Sequence, residues 1–248
     1  MIDPKPILIL QLRPEDVTAD SEYACFLKYG QMKVENTCRI RIERTGIPDE
    51  ITIDDYSAII VGGSPFDIST PVNKKSTIQK KIEADFTRLL EQVVSRDFPF
   101  LGACSGNGLL GNYLGTPITS KYGEAVGCVT LDVTDEGRED KLLENFPEKI
   151  DVLLGHKEAC DFTPEGATLL MTGSNCPVQM FRVGENVYAT QFHPEGDKAE
   201  FILRIDTYAN HGYFQPHEAE IIKQEVSKNP TPFAQEILRR FVECYLEK

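Results

Sequence analysis

Short apolar runs alternate with longer amphipathic stretches through the first 103 residues, and this alternation constrains the fold more than any other feature. The runs 7–12, 37–42, 57–62 and 98–103 have the length and composition of buried strands, and a charged helix is predicted at about 75–97. Strands separated by helices are typical of a parallel sheet that helices cover. The sequence therefore predicts an α/β fold.

The pattern changes between residues 127 and 193, where short strand-like runs are separated by turn residues: CVTLDV, DVLLGH, TLLMT, VQMFRV and VYATQF. Strands this close together pair partly antiparallel, so we expect an open, mostly parallel but mixed sheet flanked by helices. Three further helices are predicted after HPEGD, at about 197–210, 216–227 and 231–247. We expect an α/β domain over residues 1–195 and a helical C-terminal extension, residues 196–248, packed on the same domain.

Charge and hydropathy exclude two classes of partner. The formal net charge is −13, whereas binding to nucleic acid requires a basic face against the phosphates. Apolar runs such as ILIL and AIIVGG are far shorter than the roughly 18 residues that cross a bilayer. We therefore expect neither a nucleic-acid nor a membrane partner, and the first apolar run is interpreted as a strand, not a signal peptide.

The seven cysteines are an odd number, are scattered and form no CxxC pair. This usage predicts reduced thiols and a cytoplasmic location. No group of histidines and cysteines has the spacing of metal ligands. We expect no metal and no cofactor.

The stretch FPFLGACSGNGLLG, residues 98–111, fits two catalytic patterns. From Gly106 it reads GxGxxG, the phosphate loop of dinucleotide-binding domains, with Asp132 as the acidic partner. That loop must lead into a helix long enough to cross back over the sheet, yet only NYLG follows Gly111 before TP interrupts. The phosphate-loop interpretation is therefore disfavoured.

From Gly102 the same stretch reads GxCxG, a strand that ends in a tight turn with Cys104 at its apex. Gly102 and Gly106 lie where side chains would crowd such a turn. A helix that starts near Ser105 would direct its positive end at the sulfur and favour the thiolate. A buried cysteine that only packs at a strand end gives the same pattern, so this motif alone leaves both interpretations open.

The segment VYATQFHPEGD contains a histidine and a carboxylate at useful spacing. His193 precedes Pro194, which stops a strand, and Glu195 is expected on the same side of an extended segment as His193. Glu195 can then orient the imidazole while the other ring nitrogen faces a thiol. Cys104, His193 and Glu195 are thus predicted as nucleophile, base and orienting acid, although HPE alone also suits a surface turn.

The segment IIVGGSPFD places Gly62 and Gly63 at the end of another predicted parallel strand, where ligands of open α/β sheets bind. Acyl transfer to a thiol builds negative charge on the carbonyl oxygen, which needs two N–H donors. We predict that the backbone N–H groups of Gly63 and Ser105 form this oxyanion hole. A plain turn is the alternative for the glycine pair.

Over roughly residues 55–195 the sequence resembles the class I glutamine amidotransferase family, the triad-type glutaminase domains found in GMP synthetase. The resemblance rests on VGGSP, GACSG, KYGEAVG and the block GHKEACDFTPEGATLLMTGSNCPVQMFRVGENVYATQFHPE. It implies a flavodoxin-like fold in a stand-alone member. It also implies that Cys104 is the nucleophile, His193 the base and Glu195 the acid.

One departure from the family concerns the substrate. The family turn usually continues as CxGHQ or CxGxQ, and its glutamine contacts the substrate, whereas this chain has Asn107 and Gly108 there. The resemblance implies substrate contacts at Asn107, Gly108, Asn175 and Cys176, and it makes His156 of GHKE a candidate pocket residue.

Three functions therefore stay open. The first is a glutaminase or amidotransferase that forms a γ-glutamyl thioester on Cys104 and releases ammonia. No P-loop is visible in these 248 residues, so we expect a separate synthetase subunit to activate any ammonia acceptor. The second is a γ-glutamyl peptidase or hydrolase, and the third is a non-catalytic binding or regulatory module.

Overall fold

A computed structural model describes residues 5–209, 214–228 and 230–246 of the chain. The strands within these ranges are β1 (Ile7–Gln11), β2 (Thr37–Arg41), β3 (Ala58–Val61), β4 (Phe100–Ala103), β5 (Ile118–Thr119), β6 (Glu124–Val133), β7 (Lys149–His156), β8 (Ala159–Cys160), β9 (Ala167–Thr172), β10 (Met180–Val183) and β11 (Val187–Thr190). Nine of them form one sheet in the order β2-β1-β3-β4-β11-β10-β9-β6-β7, and β5 pairs with β8 separately.

The large sheet has a parallel half and an antiparallel half. β2, β1, β3, β4 and β11 are parallel to their neighbours, whereas β11, β10, β9, β6 and β7 pair antiparallel. The predicted mixed α/β sheet is therefore confirmed, and β11 is the strand at which the two halves meet. The first four strands lie within a residue or two of their predicted positions.

The helices are α1 (Asp16–Tyr29), α2 (Ile42–Thr45), α3 (Thr77–Ser95), α4 (Ser105–Tyr113), α5 (Asp135–Arg138), α6 (Lys198–Tyr208), α7 (Ala219–Lys228) and α8 (Pro232–Tyr245). α3 is the charged helix predicted at about 75–97. α6, α7 and α8 correspond to the three predicted helices of the extension, and the expected ends of the first and the third, at residues 210 and 247, lie outside the described residues. No helix in the described part of the chain is both long and apolar enough to cross a membrane.

In the parallel half, β1, β3, β4 and β11 are buried on both faces, as expected when helices cover a sheet on each side, whereas β2 at the edge is only partly buried. Along β1 the side chains alternate: Ile7 and Ile9 pack in one hydrophobic cluster, and Leu8 and Leu10 in the other. The first cluster includes Phe241 of α8. The extension is thus part of the core that covers one face of the sheet.

The turn between β10 and β11 is anchored by a side chain from outside the hairpin. The Asp97 carboxylate, just beyond α3, accepts the backbone N–H of Glu185 at 3.1 Å and that of Asn186 at 3.0 Å. Beyond this turn, Thr190 at the end of β11 lies opposite Ala103 at the end of β4. The carboxyl ends of these two parallel strands therefore reach the same edge of the sheet.

Candidate active site

Cys104 lies at a sharp turn between β4 and α4, as the glycine pattern predicts. Its backbone has φ 52° and ψ −96°, a conformation that residues other than glycine rarely adopt. Its N–H donates to the carbonyl oxygen of Thr190 at 2.7 Å. A Cβ atom on Gly102 would lie 2.7 Å from the backbone carbonyl carbon of Gly106, so the turn requires glycine at position 102.

His193 and Glu195 make the predicted contact, although the strand ends three residues earlier than expected. β11 stops at Thr190, and Pro194 and Glu195 lie in a turn. Across that turn, Nδ1 of His193 donates to Oε1 of Glu195 at 2.7 Å. The His193 N–H donates to the carbonyl oxygen of Leu153 at 3.0 Å, which fixes the backbone at the histidine.

A single cavity contains Cys104 and His193. Ser64 and Phe66 contribute to it from the loop after β3, and Ser105 and Gly108 from α4. The extension supplies a further group of side chains to its wall: Phe201, Arg204, Ile205, Tyr208 and Phe214. The cavity is thus formed partly by the sheet edge and partly by the extension.

Burial favours the neutral forms of both the thiol and the imidazole. Burial raises the pKa of the Cys104 thiol to about 11, and the nearby positive charges of Arg13 and Arg204 offset only part of that effect. Burial also lowers the pKa of His193 to about 4, with help from the charge of Arg204 and against the Glu195 carboxylate. Burial thus opposes the thiolate that the α4 terminus is expected to favour, and a resting thiolate stays a prediction.

Glu195 is completely buried yet ionised. Burial alone would raise its pKa, but His193 and Arg204 outweigh burial and hold the pKa well below its usual range. Nη2 of Arg204 donates to Oε1 of Glu195 at 2.9 Å, on the same oxygen that accepts His193. One oxygen of the orienting carboxylate thus accepts hydrogen bonds from both the His193 ring and the Arg204 guanidinium.

Behind Glu195 lies a network of buried charges that sequence reasoning missed. Nε of Arg13 donates to Oε1 of Glu22 at 2.7 Å, Nε2 of Gln11 donates to Oε2 of Glu22 at 2.8 Å, and Nη2 of Arg204 lies 3.5 Å from Oε1 of Glu22. Two signals in the sequence point to it. Arg13 follows β1 at the ligand-binding edge of the sheet, and Arg204 lies one turn from Glu200 on the buried face of α6.

The two predicted oxyanion donors differ in their surroundings. Gly63 lies against the histidine, since a Cβ atom on it would be 2.8 Å from Cε1 of His193. Its N–H, however, points at Oε1 of Glu22 at 3.3 Å, so this N–H would have to leave Glu22 to serve an oxyanion. Ser105 is the first residue of α4, where backbone N–H groups have no acceptor within the helix.

The structure brings one of the four predicted substrate-binding residues into the cavity. Gly108 lines it. Asn107 is buried away from it, with its Oδ1 3.3 Å from the thiol of Cys160, and Cys176 is buried with its thiol directed at the carbonyl of Val178. Asn175 is exposed and does not line the cavity. The structure thus does not bring Asn107, Asn175 or Cys176 to the cavity wall, and the substrate contacts expected of them stay predictions.

His156 lines the cavity and is buried, as its motif suggested. Its Nδ1 lies 3.1 Å from the carbonyl oxygen of Glu158, which can only accept, and its Nε2 lies 3.0 Å from Oε2 of Glu124. These two contacts fix the orientation of the ring at the cavity wall. Glu124, His156 and Cys176 also place N, O and S atoms within 4.8 Å of one another, so the expectation of no metal stays a prediction.

The sequence is similar to a known protein family and to individual relatives. The profile of the family described as "Glutamine amidotransferase class-I" matches residues 27–205, more than half of the chain. The chain is 30% identical over 149 residues to a glutamine-hydrolyzing GMP synthase subunit of Sulfurisphaera tokodaii, a match that covers 60% of this chain and 71% of that protein. It is 29% identical over 193 residues to a glutamine-hydrolyzing GMP synthase of Campylobacter lari, 73% of this chain but only 35% of the relative.

Solved structures show the same fold. A glutamine amidotransferase from Thermotoga maritima superposes with a TM-score of 0.74 at 19% identity, over 96% of this chain and 98% of the other. A glutamine amido transferase from Methylobacillus flagellatus gives a TM-score of 0.70 at 16% identity, over 98% and 96% of the two chains. With a family profile matched over most of its length, and with the fold that these structures share, the chain belongs to the class I glutamine amidotransferase family.

Proposed function

We propose that this protein hydrolyses the γ-amide of glutamine through a γ-glutamyl thioester on Cys104. The observation that carries the proposal is one cavity that holds a cysteine on a strained turn and a histidine whose Nδ1 is bonded to a buried carboxylate. Relatives that match the chain carry the words "glutamine-hydrolyzing" in their names, which supports the same substrate.

The proposed chemistry starts from a neutral pair. Sγ of Cys104 attacks the γ-carbonyl carbon while Nε2 of His193 removes the thiol proton, and the carbonyl oxygen becomes an oxyanion near the Ser105 N–H. When the tetrahedral intermediate collapses, the C–N bond breaks and His193 returns the proton to the leaving nitrogen, which departs as ammonia. Water then attacks the thioester, gives up a proton to His193, and releases glutamate and the thiol.

Proton transfer is required for attack, because both partners start uncharged. Burial raises the pKa of the thiol to about 11 and lowers that of His193 to about 4, and both shifts favour a neutral pair over thiolate and imidazolium before substrate binds. Glu195 stabilises the imidazolium that forms during the reaction. In this proposal, attack on the substrate carbonyl and stabilisation of the oxyanion by its N–H donors drive the transfer of the thiol proton to His193.

The ammonia acceptor belongs to a partner in this proposal. One relative is named as a subunit of GMP synthase, and relatives such as the Campylobacter lari enzyme extend well beyond the part that the chain matches. We infer that a separate synthetase subunit would activate any acceptor and receive the ammonia.

A γ-glutamyl hydrolase is the second candidate, and two observations favour it. Gly108 replaces the glutamine of the family pattern and lines the cavity, which leaves room beside the thioester. The ring of Phe201 also stands edge-on to His193, with centroids 5.6 Å apart. Because His193 protonates the leaving group, the side chains next to it border that group, and an apolar border suits an amine larger than ammonia.

The test compares turnover of glutamine with turnover of γ-glutamyl dipeptides and a γ-glutamyl anilide, measured as released glutamate. Cys104→Ala is the inactive variant, and Cys244→Ala is the matched control because Cys244 is an exposed free thiol on the surface. Preference for glutamine supports the first candidate, and preference for the anilide supports the second. Full activity in Cys104→Ala would refute both.

A further inference from the structure

Arg204 links the C-terminal extension to the proposed triad. It lies on α6 and is only 6% exposed, and its Nη2 donates to Oε1 of Glu195 at 2.9 Å. The same oxygen accepts Nδ1 of His193 at 2.7 Å, whereas Oε2 of Glu195 has no hydrogen-bond partner among the described residues. The carboxylate is therefore held through one oxygen, by the histidine on one side and Arg204 on the other.

Arg204 is itself held in place from two directions. Its Nε bonds to Oε1 of Glu200, one turn earlier on the same helix. Its Nη2 also lies 3.5 Å from Oε1 of Glu22, which Arg13 and Gln11 hold from the opposite side. A guanidinium is planar and its N–H donors have a fixed geometry, so these contacts restrict its rotation away from Glu195.

Arg204 does more than neutralise Glu200. Burial raises the pKa of Glu200 to about 7 against the opposing charges of Arg204 and Arg13. Near neutral pH this carboxyl group is therefore partly protonated, and its negative charge only partly neutralises the guanidinium of Arg204. Glu195 is ionised and fully buried. An ionised carboxylate without its cation would be strongly destabilised at this depth.

We propose that Arg204 is a positioning residue of the active site, which fixes the Glu195 carboxylate so that His193 keeps Nε2 directed at Cys104. The proposal rests on the function proposed above. It gives the extension a role in catalysis, since the guanidinium that holds Glu195 comes from α6 and not from the sheet.

The charge of Arg204 also has a consequence for pH dependence. The charged groups that act on His193 are Arg204, Glu195 and Arg13, and Arg204 is the larger of the two positive influences. Removing it should raise the pKa of His193 from about 4 toward its ordinary value. Since the histidine must be neutral to accept the thiol proton, activity in the variant should be lost at a higher pH than in the wild type.

The experiment measures kcat and KM between about pH 3 and 8 for the wild type, Arg204→Gln and Arg239→Gln. Arg239 is the matched control, because it lies on α8 of the same extension and pairs with Glu236 and Glu243 along its own helix. We expect kcat in Arg204→Gln to fall roughly ten- to hundredfold, the value of a lost charge-assisted hydrogen bond, with KM little changed and the acidic limb moved upward. Arg239→Gln should match the wild type.

A purely structural role would reduce the amount of folded enzyme but would not move the acidic limb. Equal kcat and equal acidic limbs in Arg204→Gln and Arg239→Gln, with Cys104→Ala inactive, would overturn the inference and leave the proposed function intact. Activity in Cys104→Ala would overturn the proposed function instead.

Two further measurements keep the test decisive. If Arg204→Gln does not fold, Arg204→Lys retains the charge with a single donor group; the acidic limb should then stay in place while kcat falls, and an unchanged kcat contradicts the inference. NMR titration of His193 in the wild type and the variant reports the same shift without any substrate. An unshifted His193 pKa in Arg204→Gln also contradicts it.

Discussion

The nucleophile end and the acid end of the proposed triad are held by different means. Cys104 is held by its backbone, through the φ of 52°, the glycine at 102 and the N–H bond to Thr190. Glu195 is held by side chains, with Arg204 and His193 on one oxygen and no exposure to solvent.

This difference decides which substitutions the protein tolerates. A residue fixed by backbone geometry can lose its own side chain without disturbing its neighbours, because the turn persists. A buried carboxylate in an ion-pair network cannot be removed without disturbing its neighbours, because its loss leaves another charge unpaired in a medium of low polarity. Four predictions test this contrast, from the largest expected effect to the smallest.

Replacing Cys104 tests the nucleophile end and should have the largest effect on activity. Cys104→Ala should reduce turnover by about 10⁴-fold or more while leaving the fold intact. Cys104→Gly should be equally inactive but more stable than Cys104→Ala by about 1 kcal/mol, because glycine relieves the strain of a positive φ. Chemical denaturation of the two inactive variants measures this difference. Equal stabilities would mean that the turn stores no strain.

Replacing His193 and Glu195 tests the acid end. His193→Ala removes the proton carrier and should approach the Cys104→Ala background. Glu195→Gln leaves a correctly placed but less well oriented imidazole, so its loss should be at least about tenfold smaller. Adding His193→Ala to Cys104→Ala should cost little more, and additive losses in kcat/KM would show that the residues do not act as a unit.

The pH dependence of alkylation tests whether the nucleophile rests as a thiol. With a pKa of about 11, the thiolate fraction of Cys104 rises with pH throughout the neutral range. The rate at which iodoacetamide modifies Cys104 should therefore rise about tenfold per pH unit between about pH 7 and 9. Peptide mass mapping locates the adduct, and Cys104→Ala supplies the background. A rate that is flat over this range would indicate a preformed thiolate–imidazolium pair.

Gly108→Gln tests the room beside the nucleophile and should have the smallest effect. A restored hydrogen bond to glutamine should lower its KM by about two- to tenfold and should impair larger γ-glutamyl substrates. A Cβ atom at position 108 would lie 2.9 Å from Cδ1 of Ile68, so Gly108→Gln should be compared with Gly108→Gln combined with Ile68→Ala. If neither variant changes KM for glutamine, another group holds the substrate.

The nucleophile end could be predicted from the sequence because its determinants are local. Gly102, Cys104 and Gly106 are neighbours, and the turn they form depends on their own backbone angles. β1 and β3, which precede them in the chain, are short apolar runs and could be predicted for the same reason. The contact between His193 and Glu195 was also predicted, since the two residues are two positions apart, although it is made across a turn and not along a strand.

The acid end could not be predicted in full because its partners are far apart in the sequence. Glu22 lies on α1, Arg13 follows β1 and Arg204 lies on α6, and only the folded chain brings them together. The same holds for the predicted substrate residues that lie away from the cavity wall. The Asn107 side chain turns to Cys160, a residue that a motif of neighbouring positions does not include.

The pairing of β4 with β11 has a consequence for the evolution of the chain. Ala103 lies opposite Thr190, and the Asp97 carboxylate holds the hairpin turn that sets this alignment. Consecutive strand residues are about 3.3 Å apart and point to opposite faces, so inserting or deleting one residue within β11 would shift its alignment with β4 and turn its side chains to the opposite faces of the sheet. Selection should therefore permit changes of residue type in this segment much more readily than changes of its length.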